Sequence, residues 1–221
     1  MPGPSSSFQD PAFSGRNLAC RRGERLVFAR LNFLLPPAGA LLLTGPNGSG
    51  KSSLLRLMAG LAPAEAGEML WGTELISDDR EAHRQRLHFV GHQDAIKPPL
   101  TVRELIGFWG GLRGAPPEDA DRALERFRLA ELADHPCRFL SAGQKRRLTL
   151  ARLLASPANL WLLDEPTLGL DIQATADLAA IVKDHRAQGG RIVLSTHIAF
   201  DLPDAASLVM SDFAPPRRQA A

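Results

Sequence analysis

Eight consecutive residues, 45–52, carry the first chemistry that can be recognised in the chain. They read Gly-Pro-Asn-Gly-Ser-Gly-Lys-Ser, which is the G-x-x-x-x-G-K-S spacing of a phosphate-binding loop. Glycines let backbone N–H groups turn toward phosphate oxygens, and the amino end of a following helix adds partial positive charge. We expect Lys51 to reach the β- and γ-phosphates and the Ser52 hydroxyl to hold Mg²⁺. The residues predicted to surround the nucleotide are Gly45, Pro46, Asn47, Gly48, Ser49, Gly50, Lys51, Ser52 and Ser53.

The segments on either side of this loop decide whether the motif is meaningful. An apolar strand candidate, residues 40–44, leads into the loop, and a helix candidate, residues 53–59, leads out of it. The alternative is a glycine-rich turn with a chance lysine. The strand–loop–helix order favours phosphate binding over that alternative.

A second piece of chemistry lies where an apolar strand ends in two adjacent carboxylates. Residues 160–165 read Leu-Trp-Leu-Leu-Asp-Glu. A carboxylate at the end of a buried strand, beside a phosphate loop, is suited to Mg²⁺ coordination, so Asp164 is predicted to take that role. Glu165 follows it and is predicted to polarise a water near the γ-phosphate. The competing interpretation is that Asp-Glu-Pro only caps a turn.

A third candidate is the sequence Leu-Ser-Ala-Gly-Gln at residues 140–144. Ser141 occupies the N-cap position of a predicted helix, 141–155, whose exposed N–H groups could form a second anion site. A second site of this kind suggests a nucleotide held by another copy of the chain, although a simple helix cap explains Ser141 equally well. The following Lys145-Arg146-Arg147 is typical of a solvated helix face.

The surrounding elements predict how these residues are positioned. Strands are expected at 25–33, 40–44, 87–90, 159–163 and 191–196, with a short antiparallel strand at 68–71. From about residue 94 to 156 the pattern becomes helical, and Thr101 with Glu104 predicts a capping box there. The sequence thus predicts an α/β core interrupted by a mostly α-helical insertion. Residues 1–15 are expected to be a disordered segment, 16–212 the folded domain and 213–221 a loose tail.

Composition excludes several classes of protein. The 221 residues are 44% hydrophobic and 23% charged, as in a soluble globular protein, and one α/β domain fits this length. A net charge of +2 is too small to indicate nucleic-acid binding, and no apolar run is long enough to span a membrane. Cys20 and Cys137 have no metal or redox spacing, which favours a reducing compartment.

The motifs together resemble a known family. The phosphate loop, Leu-Ser-Ala-Gly-Gln and Leu-Leu-Asp-Glu-Pro occur in this order, Gln93 follows the loop, and His197 follows the strand 191–196. This arrangement resembles the ATP-binding cassette (ABC) ATPases over about residues 16–212. The resemblance implies a P-loop NTPase core of α/β class, with an antiparallel β subdomain and an α-helical subdomain inserted at about 94–156. It also implies ATP and Mg²⁺ as ligands.

The same resemblance assigns roles to matching positions. Glu165, His197 and Gln93 take catalytic roles, with Gln93 touching either Mg²⁺ or the attacking water. The Mg²⁺ ligands implied are Ser52, Gln93 and Asp164. Ser141 and Gly143 resemble residues that grip the γ-phosphate bound to the opposite subunit of a homodimer sandwiching two ATP molecules, and Asp171 resembles an interface aspartate.

Two positions depart from the family pattern. The middle residue of the Ser-Ala-Gly triplet is usually glycine, and Ala142 restricts the backbone more than glycine does. The aromatic residue that usually stacks on adenine falls near Arg22, and the chain has no tyrosine. A guanidinium can stack on a flat base, so Arg22 either takes over that role or is a surface residue.

Several local strings narrow the resemblance to the ATP-binding subunits of bacterial haem exporters of cytochrome c maturation. These are Asn-Leu-Ala-Cys at 17–20, Gly-Pro-Asn-Gly at 45–48, Gly-His-Gln at 91–93, Ile-Lys at 96–97 and the extended signature at 140–147. The resemblance implies integral membrane permease partners, no nucleic acid, and a peripheral position on the cytoplasmic face of the inner membrane. The alternatives are the ATPase of another bacterial ABC exporter, for lipoprotein release or small solutes, and a soluble non-transport ABC ATPase.

Overall fold

The computed structural model describes residues 11–197 and 200–215 and contains two sheets and six α-helices within those ranges. The strands are β1 (Phe13–Arg22), β2 (Arg25–Leu35), β3 (Ala40–Thr44), β4 (Ala66–Trp71), β5 (Glu74–Leu75), β6 (Leu87–Val90), β7 (Leu160–Asp164), β8 (Arg191–Ser195) and β9 (Ala206–Val209). The helices are α1 (Lys51–Met58), α2 (Arg80–Gln85), α3 (Val102–Gly111), α4 (Pro117–Arg126), α5 (Ala142–Ala155) and α6 (Ile172–Ala187).

The larger sheet is entirely parallel and has the strand order β6-β7-β8-β3-β9. Every residue of β7 and β8 is buried, as their apolar sequences predict for strands covered on both faces. In β7, Trp161 and Leu163 pack into one hydrophobic cluster, while Leu160 and Leu162 pack into the other. Because all five strands run the same way, the loops after β3, β6, β7 and β8 meet at one edge of the sheet.

The smaller sheet is antiparallel, with the order β2-β1-β4-β5. Phe13 of β1 lies 4.8 Å from the ring of Trp71 in β4, and both belong to the cluster that also contains Leu41 and Leu43 of β3. This cluster fixes the smaller sheet beside the strand that enters the phosphate loop. The tight turn between β1 and β2 places Arg22 and Arg25 opposite each other.

The helical segment lies between β6 and β7 in the chain. Thr101 and Glu104 form the predicted capping box at the start of α3. α5 packs against α3 and α4 through the cluster on the other face of the parallel sheet, which includes Leu148 and Ala151. The body of α5 therefore packs within the helical segment, while its first turn, after Ser141, lies at the surface.

The fold class is confirmed, but some predicted boundaries need correction. β1 begins at Phe13, inside the range 1–15 that was expected to be disordered, because Phe13 is buried against Trp71. Residues 210–213 form a short 3-10 helix anchored by the buried Met210, so the expected tail at 213–221 starts too early. Residues 1–10 and 216–221 of those two segments lie outside the described residues. Within the described ranges, no helix has the length and apolar character needed to cross a bilayer.

Candidate functional site

A cavity of about 740 Å³ opens at the edge of the parallel sheet where the strand ends meet. It collects residues from the loops after β3, β7 and β8 and from the β1–β2 turn. Ten of the predicted site residues line it: Arg22, Asn47, Gly48, Gly50, Lys51, Ser52, Ser53, Asp164, Glu165 and His197. The phosphate loop, the carboxylate end of β7 and His197 are therefore parts of one site.

The phosphate loop is shaped by glycine conformations and by its lysine. Gly50 has φ of 107° and immediately precedes α1, and a side chain there would meet Val27 at 2.8 Å. The Lys51 ammonium donates to the carbonyls of Gly45 at 2.7 Å and Pro46 at 3.3 Å. These contacts hold the positive charge inside the curve of the loop, where phosphate oxygens bind in loops of this kind.

The carboxylate end of β7 is held by a residue of the neighbouring strand. Ser195 Oγ donates to Asp164 Oδ1 at 2.7 Å. The Glu165 N–H lies 3.1 Å from both the carbonyl oxygen and Oγ of Ser195. Glu165 itself has φ of 48°, a left-handed conformation that costs a non-glycine residue on the order of 1 kcal/mol. Contacts on its backbone therefore fix an otherwise unfavourable geometry.

The side chain of Glu165 faces His197. The His197 backbone N–H lies 3.3 Å from Glu165 Oε2, and His197 Nε2 lies 3.1 Å from Oε1 as an ion pair when the imidazole is protonated. Within the described residues, no donor makes a hydrogen bond of good geometry to Oε1. Oε1 is buried, while the Glu165 residue as a whole lines the cavity, where a carboxylate can accept a proton from a water molecule.

The donor set suits Mg²⁺. Ser52 and Asp164 line the same cavity and offer a hydroxyl and a carboxylate oxygen, which are ligands that Mg²⁺ accepts while keeping waters and phosphate oxygens. Among the described residues, no group of three His, Cys, Asp or Glu side chains forms a cage for a metal ion, so a nucleotide would have to supply ligands. Gln93 is exposed after β6, and at that point His92 lines the cavity instead.

Three predicted residues lie at a separate, smaller cavity of about 120 Å³. Ser141, Gly143 and Asp171 line it, and Gly169 borders both cavities. Ser141 Oγ accepts from Gln144 N at 3.2 Å and the Ser141 N–H donates back to Gln144 Oε1 at 2.8 Å, which is a capping box. Asp171 caps α6 through a bond from Ala174 N at 2.7 Å. Two helix N-termini therefore converge on this surface.

Other residues at the site were not predicted. Arg25 and Thr167 line the main cavity, and Ser195 holds both carboxylate residues. The sequence feature that could have identified Ser195 is a polar residue at the end of an otherwise apolar buried strand. Arg22 is exposed at the rim of the cavity, beside Arg25.

Arg146 requires a correction. It was expected on a solvated helix face, but only 3% of the residue is exposed. Its guanidinium donates to carbonyl oxygens of residues 164–166, directly at the candidate catalytic strand end. The reason is geometric, because this side of α5 packs against the end of β7 and not against water.

Comparisons with known proteins agree with this geometry. Residues 28–168 match the family model described as ABC transporter. The chain is 54% identical to the cytochrome c biogenesis ATP-binding export protein CcmA of Rhodospirillum rubrum, covering 100% of this chain and 96% of that protein. It is 52% identical to the protein of the same name from Paramagnetospirillum magneticum, over 93% of this chain and 96% of that protein.

Solved structures show the same fold. One, described as the ATP-binding subunit of an ABC transporter, superposes with a TM-score of 0.77 at 24% identity, covering 84% of this chain and 79% of that chain. Another, a putative ABC transporter ATP-binding protein from Pyrococcus furiosus, gives a TM-score of 0.81 at 20% identity over 92% of this chain and 100% of that chain.

Proposed function

The chain belongs to the ABC transporter family of ATP-binding proteins, and from this premise we propose that it is the ATP-hydrolysing subunit of an exporter of cytochrome c biogenesis. The observation that carries the enzymatic part is the juxtaposition of Lys51, Glu165 and His197 around one cavity. The export role rests on relatives at 54% and 52% identity that carry that name.

The chemistry we propose is phosphoryl transfer to water. Lys51 and the loop N–H groups bind the β- and γ-phosphates, and Ser52 with Asp164 would hold Mg²⁺, which neutralises charge on the phosphates when bound. The Glu165 carboxylate accepts a proton from the attacking water. His197 contacts the γ-phosphate, and its contacts with Glu165 hold the imidazole and the carboxylate next to each other.

We also propose a homodimer that sandwiches two ATP molecules. Ser141, Gly143 and Asp171 lie outside the cavity that holds Lys51, so they are available to a nucleotide on a second copy. The convergent helix N-termini at that surface favour an anion. Loss of the γ-phosphate removes the charge that bridges the two copies and lets them separate.

The partners and location follow from the export role. We propose integral membrane permease subunits of the cytochrome c maturation type, haem or its chaperone as the species handled, and a peripheral position on the cytoplasmic face of the inner membrane. No nucleic acid has a role in this proposal.

The enzymatic part is tested by Glu165→Gln. The amide keeps the shape of the side chain but cannot accept the proton, so we expect hydrolysis to fall by about 100-fold or more while ATP binding is retained. Steady-state phosphate release and equilibrium binding of labelled ATP measure the two properties. Substantial residual hydrolysis in this variant would remove Glu165 from the base role.

The export part is tested by recovery of partners. Tagged Glu165→Gln, held with Mg-ATP, is purified from detergent-solubilised membranes, and the eluate is analysed by mass spectrometry and visible absorption. We expect a multi-span protein together with haem-binding maturation proteins. A multi-span partner from another system would overturn the haem assignment, and the absence of any membrane partner would favour a non-transport ATPase.

A further inference from the structure

The Arg146 guanidinium is the centre of a polar network that joins three separate segments. Its Nε donates to Pro166 O at 3.2 Å, and its Nη2 donates to Asp164 O at 3.2 Å and Glu165 O at 2.7 Å. Its Nη1 donates to Gly91 O at 3.1 Å and to Asp94 Oδ1 at 3.2 Å. A guanidinium has five N–H groups, and all five are used.

One of the carbonyls that Arg146 binds belongs to Glu165, the residue with the strained backbone. Glu165 is clamped on both sides, since Ser195 binds its N–H and Arg146 binds its carbonyl oxygen. A left-handed conformation at a non-glycine residue persists only where the surroundings over-determine it. Arg146 therefore helps to fix the direction in which the Glu165 carboxylate leaves the chain.

The Nη1 group of Arg146 binds the segment after β6. Gly91 and Asp94 flank Gln93, and Arg146 itself lies five residues after Ser141 on the same helix end. One side chain thus ties the start of α5 to the segments that carry Gln93 and Glu165. Because the site is buried, the charge is stabilised by the Asp94 carboxylate and by four carbonyl dipoles.

We propose that Arg146 is a positioning residue for ATP hydrolysis, holding Glu165 and the segment that carries Gln93 in fixed places relative to the helix that begins at Ser141. This inference rests on the proposed ATPase function. It requires the fork geometry of a guanidinium and not merely a positive charge, because an ammonium has only three donors for five acceptors.

The deciding variant is Arg146→Lys in the full chain, which keeps the charge and removes the fork. We expect kcat to fall about 10- to 100-fold, since a displacement on the order of 1 Å at a catalytic group costs about this much. The KM for ATP should stay within about threefold of the wild type, because no atom of Arg146 lines the nucleotide cavity.

Arg152→Lys is the matched control. Arg152 lies on the same helix and donates to a β6 carbonyl, that of Phe89, but it makes no hydrogen bond or ion pair with residues 164–166. We expect its kcat to remain near that of the wild type. Thermal unfolding of both variants separates a general loss of stability from loss of positioning.

Asp94→Asn is a second test that can be used if Arg146→Lys does not fold. It leaves the guanidinium without its carboxylate partner and should lower kcat several-fold at unchanged KM. The positioning role would be overturned if a folded Arg146→Lys or Asp94→Asn variant kept the wild-type kcat. It would also be overturned if Arg152→Lys lowered kcat by as much as Arg146→Lys does. Either result would leave the ATPase function intact. Absence of hydrolysis by the wild type, alone and with its membrane partner, would instead overturn the proposed function.

Discussion

The phosphate loop and the carboxylate end of β7 face the same cavity but are built in different ways. The loop is organised by its own residues, since Lys51 bonds to carbonyls five and six positions earlier and Gly50 supplies a left-handed turn. The carboxylate end is organised from a distance, by Ser195, His197 and Arg146. One half of the site is therefore locally encoded, while the other depends on the assembled fold.

This difference affects how each half responds to change. A locally encoded loop is damaged mainly by substitutions within it, because its contacts span few residues. An assembled strand end is sensitive to substitutions in several elements, including some that no nucleotide would touch. The following four predictions test that contrast.

The largest effect is expected for Lys51→Ala. Loss of the ammonium removes the charge directed at the β- and γ-phosphates, so we expect hydrolysis to fall about 100-fold or more, with weaker ATP binding. The unfolding temperature should change little, since the bonds lost lie within one loop. Phosphate release and ATP titration measure the effect, and an unchanged steady-state rate would remove the phosphate-loop assignment.

Glycine substitutions test the local geometry of the loop next. At Gly50 a side chain would lie 2.8 Å from Val27 and would also occupy φ of 107°, so Gly50→Ala should destabilise the fold by about 3 kcal/mol. Gly48→Ala is the matched control, because Gly48 has φ of 78° but open space around it, and about 1 kcal/mol is expected. Urea unfolding compares the two. Equal losses would mean that backbone strain alone, without packing, shapes the loop.

Lowering the pH should reduce the free energy of unfolding through buried histidines in and beside the parallel sheet. Burial, with a smaller effect of Arg113, lowers the pKa of His88 in β6 from 6.5 to about 3, and the ring lies 3.0 Å from the Ser156 carbonyl. Because the folded pKa is depressed, His88 stabilises the fold fully above pH 6.5, and this stability is lost as the pH falls toward 3.

Between pH 7.5 and pH 5 the contribution of His88 amounts to about 2 kcal/mol. Urea unfolding at the two pH values should therefore show a smaller loss for His88→Gln than for the wild type. Burial also lowers the pKa of His185, to about 4, so part of the pH dependence should survive this substitution. Identical pH dependence in the two proteins would contradict the neutral state of His88.

The smallest effect is expected for Ser195→Ala, which tests the assembled half most directly. It removes the donor to Asp164 and one acceptor of the Glu165 N–H, while the backbone contact to the Ser195 carbonyl remains. We expect kcat to fall about tenfold with little change in KM. Ser207→Ala, on the exposed side of β9, is the control. If Ser195→Ala keeps the wild-type kcat, the backbone contact to Glu165 alone is enough to position the carboxylates.

The same contrast explains what could be predicted from the sequence. The phosphate-loop motif, β6, the capping box at Thr101, the N-cap at Ser141 and the buried strands of the core followed from local patterns. Arg146 could not be placed, because a basic run on a helix is ordinarily solvated and only the packing of α5 against β7 buries this one. α6 and β9 were missed, since β9 is largely exposed and has no strong alternation.

The position of β3 in the sheet has a consequence for biosynthesis. β3 ends at the phosphate loop, yet both of its hydrogen-bonded neighbours, β8 and β9, come from residues beyond 190. A nascent chain therefore cannot complete the sheet around the nucleotide loop until synthesis is almost finished, and long-range pairing of this kind forms slowly. Translation products that stop before β8 would lack both strands that pair with β3, so the strand that enters the phosphate loop would have no hydrogen-bonded neighbour.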